Sequence, residues 1–419
     1  MTGEDEMTST GQRRSAEPVT DLSEKVMFSD PFAHYAELRR TAPVSRVRSK
    51  QLVRSGGYML TRYNDVMLLH GDTRFSSDTM HQKDSWLMNH LPRTFRLLAD
   101  SMVYQDDPDH ARLRRLVNKA FTPRIVQQMT ADIERIVDEL LTAVAGNDVT
   151  DLVEEFAVPL PLSVISNMLG VTEEDRDEFH SLMARFVTSV GGGSLASFVA
   201  AVPTARRLLK MIERMADERR TRPDEGLITG LISASEDGDK LSTDEVDAMI
   251  FLLMLAGHDT TANLIGSSVL ALLEHPEQAA RLREDSGIAP TAVEELLRFT
   301  TPVPCGAVRV TLDDVEVSGT TLPKGTNVLG MIISANRDEA IFDQPDVLDL
   351  GRDPNRHITF AFGKHYCLGN QLARIEGQIA LTALVQRFPN MTLAIPREQL
   401  RYKPIQSLRG LQKLPLRLH

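Results

Sequence analysis

Phe360-Ala361-Phe362-Gly363-Lys364-His365-Tyr366-Cys367-Leu368-Gly369, running into the helical stretch Asn370 to Arg387, decides how this chain is read. One of only two cysteines lies there, bracketed by glycines and placed just ahead of a helix. The first N–H groups of a helix lack intrahelical partners and sit at the positive end of its dipole, so a cysteine there is expected to favour thiolate over thiol. A thiolate is what a haem iron needs to cleave O–O bonds, because it pushes electron density through the metal. A lone cysteine is ordinarily inert packing, so this expectation needs support from the rest of the chain.

The loop resembles the haem-binding loop of the cytochrome P450 superfamily, where a Phe, a Gly, a basic residue, the ligand Cys and a second Gly stand at these spacings. That resemblance implies haem b (heme b, iron protoporphyrin IX) with Cys367 as its iron ligand. Phe360 would pack the sulfur, Gly363 would be the loop glycine beside the cofactor, and His365 would reach a propionate. Ala361 stands where the family has Gly, Ser or Asn, and is expected to tighten the turn slightly.

Composition narrows the class. The 419 residues carry no Pro/Ser/Gly-rich linker and no internal repeat, so one large domain over residues 21–419 is expected after a disordered lead-in, 1–20. Hydrophobic content of 42% and charged content of 25% are ordinary for a chain with a sizeable core. Two cysteines indicate a reducing compartment rather than a disulfide framework. A net charge of −11 argues against nucleic acid or an anionic membrane as partner. The apolar run Ile250 to Gly257 is too short to span a bilayer, and Met1 to Thr20 has no signal-peptide core. A soluble, cytoplasmic protein is expected, and the resemblance, without the usual eukaryotic anchor, implies a bacterial member.

Helical periodicity dominates from about Arg112, and alternating stretches are few: Gly57 to Leu60, Ala307 to Val317, Asn327 to Ile333. The fold class is therefore mainly α with small β-sheets, which the resemblance makes the P450 fold. Ser242-Thr243-Asp244-Glu245 reads as a capping box opening a helix that His275-Pro276 stops. At 1.5 Å per residue its roughly thirty residues reach about 45 Å, so it must be central. In its middle, Ala256-Gly257-His258-Asp259-Thr260-Thr261 reads as a kink, with a threonine hydroxyl bonding back one turn. The resemblance adds proton delivery by Asp259 and Thr260, since O–O heterolysis needs two protons brought into an apolar cavity. His258 and Asp259 as joint metal ligands are disfavoured, because adjacent helix positions point about 100° apart.

Other charges read as surface features by themselves. Glu295 and Arg298 form an i, i+3 pair, which the resemblance joins to Arg352 as a structural lock. Asp107-Pro108-Asp109 reads as a helix start, with Asp107 as N-cap. His110 and Arg114 then share a face, and the resemblance assigns them, with Arg309 and His365, to the haem propionates.

By the same resemblance, substrate meets a roof of Leu253, Ala256, Gly257 and Thr261, a wall of Val303, Pro304, Cys305 and Gly306, and a late turn from Gln406 to Leu408. Cys305 is expected to pack rather than react. Met80 to Met102, with Trp86, suits a broad hydrophobic ligand or ordinary packing, and Gly191 to Ser194 reads as a lid hinge. The expected activity is hydroxylation or epoxidation of a hydrophobic polyketide or macrolide, terpenoid or steroid-like molecule. No Gly-x-Gly-x-x-Gly unit follows a strand, so NAD(P)H electrons must arrive through a separate ferredoxin and ferredoxin reductase. A basic patch of Arg112, Arg115, Lys119 and Lys364 is expected to receive that ferredoxin. A monomer is expected. The rival readings are a haem sensor or electron carrier, disfavoured by the Asp-Thr pair, and a peroxide-driven peroxygenase, whose family members tend to replace that pair.

Overall fold

Ser242 begins the longest helix through a reciprocal cap. Its hydroxyl accepts from the Glu245 N–H at 3.2 Å, and the Glu245 carboxylate accepts from the Ser242 N–H at 2.7 Å. Two donors that a helix start leaves orphaned are thereby satisfied. The helix runs 32 residues, Thr243–Glu274, and stops before Pro276, which opens the next helix, Pro276–Glu284. By length and composition this helix could cross a bilayer, but 72% of its most apolar window is buried inside the protein. Helices Pro159–Met168, Leu195–Thr221, Ala289–Thr300 and Asn370–Arg387 surround it, so its apolar side chains form the protein's own core.

The computed structural model describes residues 19–22, 25–49, 52–53, 56–79, 92–121, 123–191, 195–236 and 238–419. Most of the expected lead-in, residues 80–91 of the apolar segment with Trp86 among them, and residues 192–194 of the expected hinge lie outside these.

Among the described residues one six-stranded sheet stands beside the helices, in the order Val19–Asp21, Val44–Arg48, Gly57–Leu60, Asn327–Gly330, Arg309–Thr311, Phe75–Ser76. The expected strand at Gly57 to Leu60 forms with those bounds. The expected strand Ala307 to Val317 divides, because the turn between Thr311 and Val315 sends Val315–Val317 into a separate hairpin with Thr320–Leu322. Asn327–Gly330 pairs with two neighbours, and the chain then turns into the short helix Ile332–Ala335 instead of continuing as a strand.

Behind the core, Glu295 and Arg298 are both fully buried and joined by two hydrogen bonds of 2.7 Å. Arg352 adds a bond at 3.2 Å, Asn355 one at 3.1 Å and the Asp349 N–H another at 3.1 Å, so every oxygen of the carboxylate is engaged. A buried charge is tolerable only with this degree of pairing.

Candidate active site

The cysteine loop is shaped by two left-handed residues. Gly363 has φ +72°, and a Cβ there would fall 2.8 Å from the carbonyl oxygen of His70, so the position requires glycine. Ala361 has φ +61°, a conformation that costs an L-residue about 1–2 kcal/mol. The expected slight tightening is thus a strained residue. The Cys367 N–H donates to the Phe360 carbonyl at 2.9 Å, and Asn370 caps the Cys367 carbonyl at 2.7 Å. The Phe360 ring carries the Arg374 guanidinium 4.5 Å from its centroid. Glu294 receives Arg374 at 2.6 and 2.9 Å and His357 at 3.0 Å. Burial works against the Glu294 carboxylate, but these bonds hold it down at about 2.

Cys367 sits under opposing influences. Burial pushes its thiol up, against the lowering effects of the Gly369 N–H, Arg114 and Arg374. A metal cation bound at the sulfur would favour the thiolate further.

Three segments bring basic side chains together nearby. His110, from helix Asp109–Ala120, stacks at 4.1 Å between ring centroids on His365 from the cysteine loop. Ser77 accepts from Arg309 of strand Arg309–Thr311 and lies 2.7 Å from Nε2 of His365. Burial drives His365 down to about 2, assisted by Arg309, and drives Arg309 down to about 10 against the pull of Asp106. Arg114 is likewise lowered by burial and raised by Cys367, which places guanidinium and sulfur within electrostatic reach. His110 is 2% exposed, yet neither ring nitrogen has a hydrogen-bond partner; Asp107 Oδ1 stands 3.6 Å away, outside bonding distance. Asp107 does not cap the helix either: Pro108 occupies the cap position with no side-chain bond.

Sequence reading missed two members of this cluster. Ser77 follows the strand Phe75–Ser76, and only the pairing of that strand with Arg309–Thr311 brings it there. His70 is buried with both nitrogens unpartnered, its ring fitted against Gly306, where a Cβ would lie 2.8 Å from its Cε1. Neither carried a local signal. Basic groups desolvated around unpartnered nitrogens, beside the half-buried Cys367, suit a buried group that presents carboxylates and a metal.

On the central helix, Thr260 donates to the Ala256 carbonyl at 2.8 Å and His258 Nδ1 lies 3.0 Å from the Met254 carbonyl. Ala256 is exposed and Leu253 and Thr260 half-buried, while Met254, His258, Asp259 and Thr261 between them are buried. Positions 253, 256 and 260 share one face, so this face borders open space in the middle of the core helix. Gly257 instead turns the side where a Cβ would lie toward Ile165, at 2.2 Å from its Cδ1. Thr261 backs the roof rather than lining it, because its position is rotated away from that face. Asp259 is ion-paired with Lys403 at 3.3 Å.

The remaining expected pocket residues come from other segments of the chain. Pro304, Gln406 and Leu408 line a narrow cleft, with a cavity volume of about 30 Å³, together with Tyr35, Phe28 and Lys403. Val303 is half-buried. Burial pushes the Cys305 thiol up to about 12, and its sulfur lies 3.9 Å from the Gln406 carbonyl, a packing arrangement. The expected basic patch is not a free one. Arg112 pairs with Glu245, Arg115 stands 3.9 Å from Asp239, and Lys364 stands 3.4 Å from Asp107 and 3.8 Å from Asp106. Acidic side chains just ahead of the same helix, in the strand Asp239–Lys240 and at the start of the central helix pair with what sequence spacing alone made look basic.

Comparison with known proteins matches this geometry. The family described as Cytochrome P450 matches residues 204–400. The polyketide biosynthesis cytochrome P450 PksS of Bacillus subtilis is 38% identical over 408 residues, covering 94% of this chain and 99% of that protein. The solved structure of PksS superposes with a TM-score of 0.86 over 94% of this chain and 98% of that one, at 36% identity. A vitamin D(3) 25-hydroxylase of Pseudonocardia autotrophica is 37% identical over 411 residues, 98% of each chain. CYP109E1 of Bacillus megaterium, solved in complex with testosterone, gives a TM-score of 0.81 at 32% identity over 93% of this chain and 99% of that one.

Proposed function

This chain belongs to the cytochrome P450 family and is a monooxygenase of it, and from that premise we propose that it oxidises a hydrophobic polyketide or macrolide, terpenoid or steroid-like molecule with electrons from a ferredoxin. The observation that carries the reading is buried His110, with both nitrogens unpartnered, set beside His365, Arg309 and Arg114 next to Cys367. Haem b, which the family implies, supplies when bound the iron chemistry that activates dioxygen, with Cys367 as its thiolate ligand.

The chain's own residues do the rest. His110, Arg114, Arg309 and His365 hold the propionates, and Ser77 orients two of them by bonding both Arg309 and His365. Phe360, its ring under Arg374, would pack the sulfur as in the family, and Gly363 lets the loop pass under His70. Leu253 and Ala256 present an apolar roof that keeps water from the reacting carbon. Thr260 holds a hydroxyl at the edge of that roof, and Asp259 moves protons toward it, one residue away. Val303, Pro304, Cys305, Gln406 and Leu408 shape the substrate wall, with Gly257 and Thr261 behind the roof. The enzyme works as one unit over residues 21–419, as a cytoplasmic bacterial monomer that uses NAD(P)H through a ferredoxin and its reductase. Because the cations near the loop are already paired, ferredoxin docking depends on short-range contacts more than on long-range steering.

The ligand assignment is tested in the reduced carbon monoxide complex. Cys367→Ala should abolish its red-shifted Soret band and Cys305→Ala should keep it; the reverse pattern would overturn the assignment. For the proton path, Thr260→Ala should retain haem and substrate binding while more NAD(P)H is lost as hydrogen peroxide.

A further inference from the structure

Asp259 and Lys403 are 144 residues apart in sequence and 3.3 Å apart in the fold. The Asp259 side chain is 9% exposed and that of Lys403 20%, so the pair runs from the core toward the surface. Lys403 belongs to a turn fastened at its base: its N–H donates to the Gly410 carbonyl at 2.8 Å, and Tyr402 bridges Leu411. The far side of that turn is fitted to the central helix one turn beyond Asp259, since a Cβ on Gly410 would lie 1.8 Å from Asn263 Oδ1. The turn therefore docks on the helix face that carries 259 and 263, about 100° around from Thr260. The backbone of Lys403 is thereby seated beside the carboxylate.

We propose that Lys403 is a positioning residue for proton delivery, fixing the direction of the Asp259 carboxylate through an ion pair held by the 402–411 turn. This rests on the proposed proton-delivering role of Asp259. Each proton that the Asp259 carboxyl gives up toward Thr260 is replaced from water; Lys403 stays protonated and transfers none. A carboxylate buried beside one cation turns to whatever donor remains when that cation is removed, so its geometry, and with it the rate of proton transfer, is set by Lys403.

The test uses the haem-loaded enzyme with a surrogate plant-type ferredoxin, its reductase and NADPH, following NADPH oxidation and peroxide release with no organic substrate needed. Lys403→Met should slow NADPH oxidation roughly tenfold and Lys403→Arg should restore it to within about twofold. The Lys403→Met/Asp259→Asn double variant should be no slower than Asp259→Asn alone, because both changes act on one step. A crystal structure of the Lys403→Met protein should find the Asp259 carboxylate in another rotamer. Unchanged oxidation in Lys403→Met, additive effects in the double variant, or an unmoved carboxylate would each overturn the proposal. If Asp259→Asn alone is silent, the reading of Asp259 fails and takes this one with it. If Asp259→Asn slows oxidation while Lys403→Met does not, only the role of Lys403 is lost. Lys403→Gln, with haem content and unfolding temperature measured alongside, separates a positioning defect from a folding one.

Discussion

The buried charges around Glu295 and those around His110 are finished to different degrees. Around Glu295 every carboxylate oxygen is taken, by Arg298, Arg352, Asn355 and a backbone N–H. Around His110 and Arg309 the basic groups outnumber their acceptors: His110 and His70 bond to nothing among the described residues, and Ser77 serves both Arg309 and His365. A closed network stabilises a fold by itself, while an open one stores a desolvation cost until an anion arrives. Completeness of pairing, more than burial or charge, distinguishes the closed cluster from the one proposed to bind.

Breaking the closed cluster should have the largest effect. Glu295→Gln leaves Arg298 buried without its counter-charge, and a loss of about 3–5 kcal/mol is expected in denaturant unfolding. A change under about 1 kcal/mol would mean that the cluster is not what locks the core. Opening the other cluster further should act on cofactor retention instead. Arg114→Ala/Arg309→Ala should speed haem transfer to apomyoglobin by at least about a hundredfold, since each charged hydrogen bond is worth about 1.5–3 kcal/mol. Full haem loading with wild-type transfer kinetics would contradict the assignment.

A subtler expectation concerns pH. Burial, reinforced by Arg309, pushes His70 from 6.5 down to about 4, so the folded chain binds fewer protons there than the unfolded chain. Stability should therefore fall as pH drops from 6.5 toward 4, and His70→Leu should make that fall shallower by roughly 3 kcal/mol at its lower end. Parallel stability profiles for the two proteins would show that His70 is not held neutral. The smallest effect is local. Ala361→Gly should stabilise the cysteine loop by about 1 kcal/mol, read as a rise in unfolding temperature with the haem spectrum unchanged.

Much of the site was legible because its signals are local. The Ser242 cap, the Pro276 stop, the Thr260 bond to Ala256 and the spacing of Phe360, Gly363 and Cys367 each depend on neighbours within a few residues. The errors share the opposite cause. Arg112 looked free until the fold brought Glu245 to it, Gly257 looked like roof until Ile165 was found behind it, and Ala307 to Val317 looked like one strand until the sheet divided it.

Sequence by itself determined that the chain is mainly helical, where the central helix starts and stops, and that Cys367 heads a helix at the spacings of a P450, because capping, periodicity and loop chemistry are written in consecutive residues. Tertiary structure alone decided that Arg114 and Arg374 come within electrostatic reach of a desolvated Cys367, that Ser77 and His70 join the basic cluster, and that Lys403 faces Asp259. Desolvation and long-range pairing are properties of what surrounds a group in space, and that exists only once distant segments have packed.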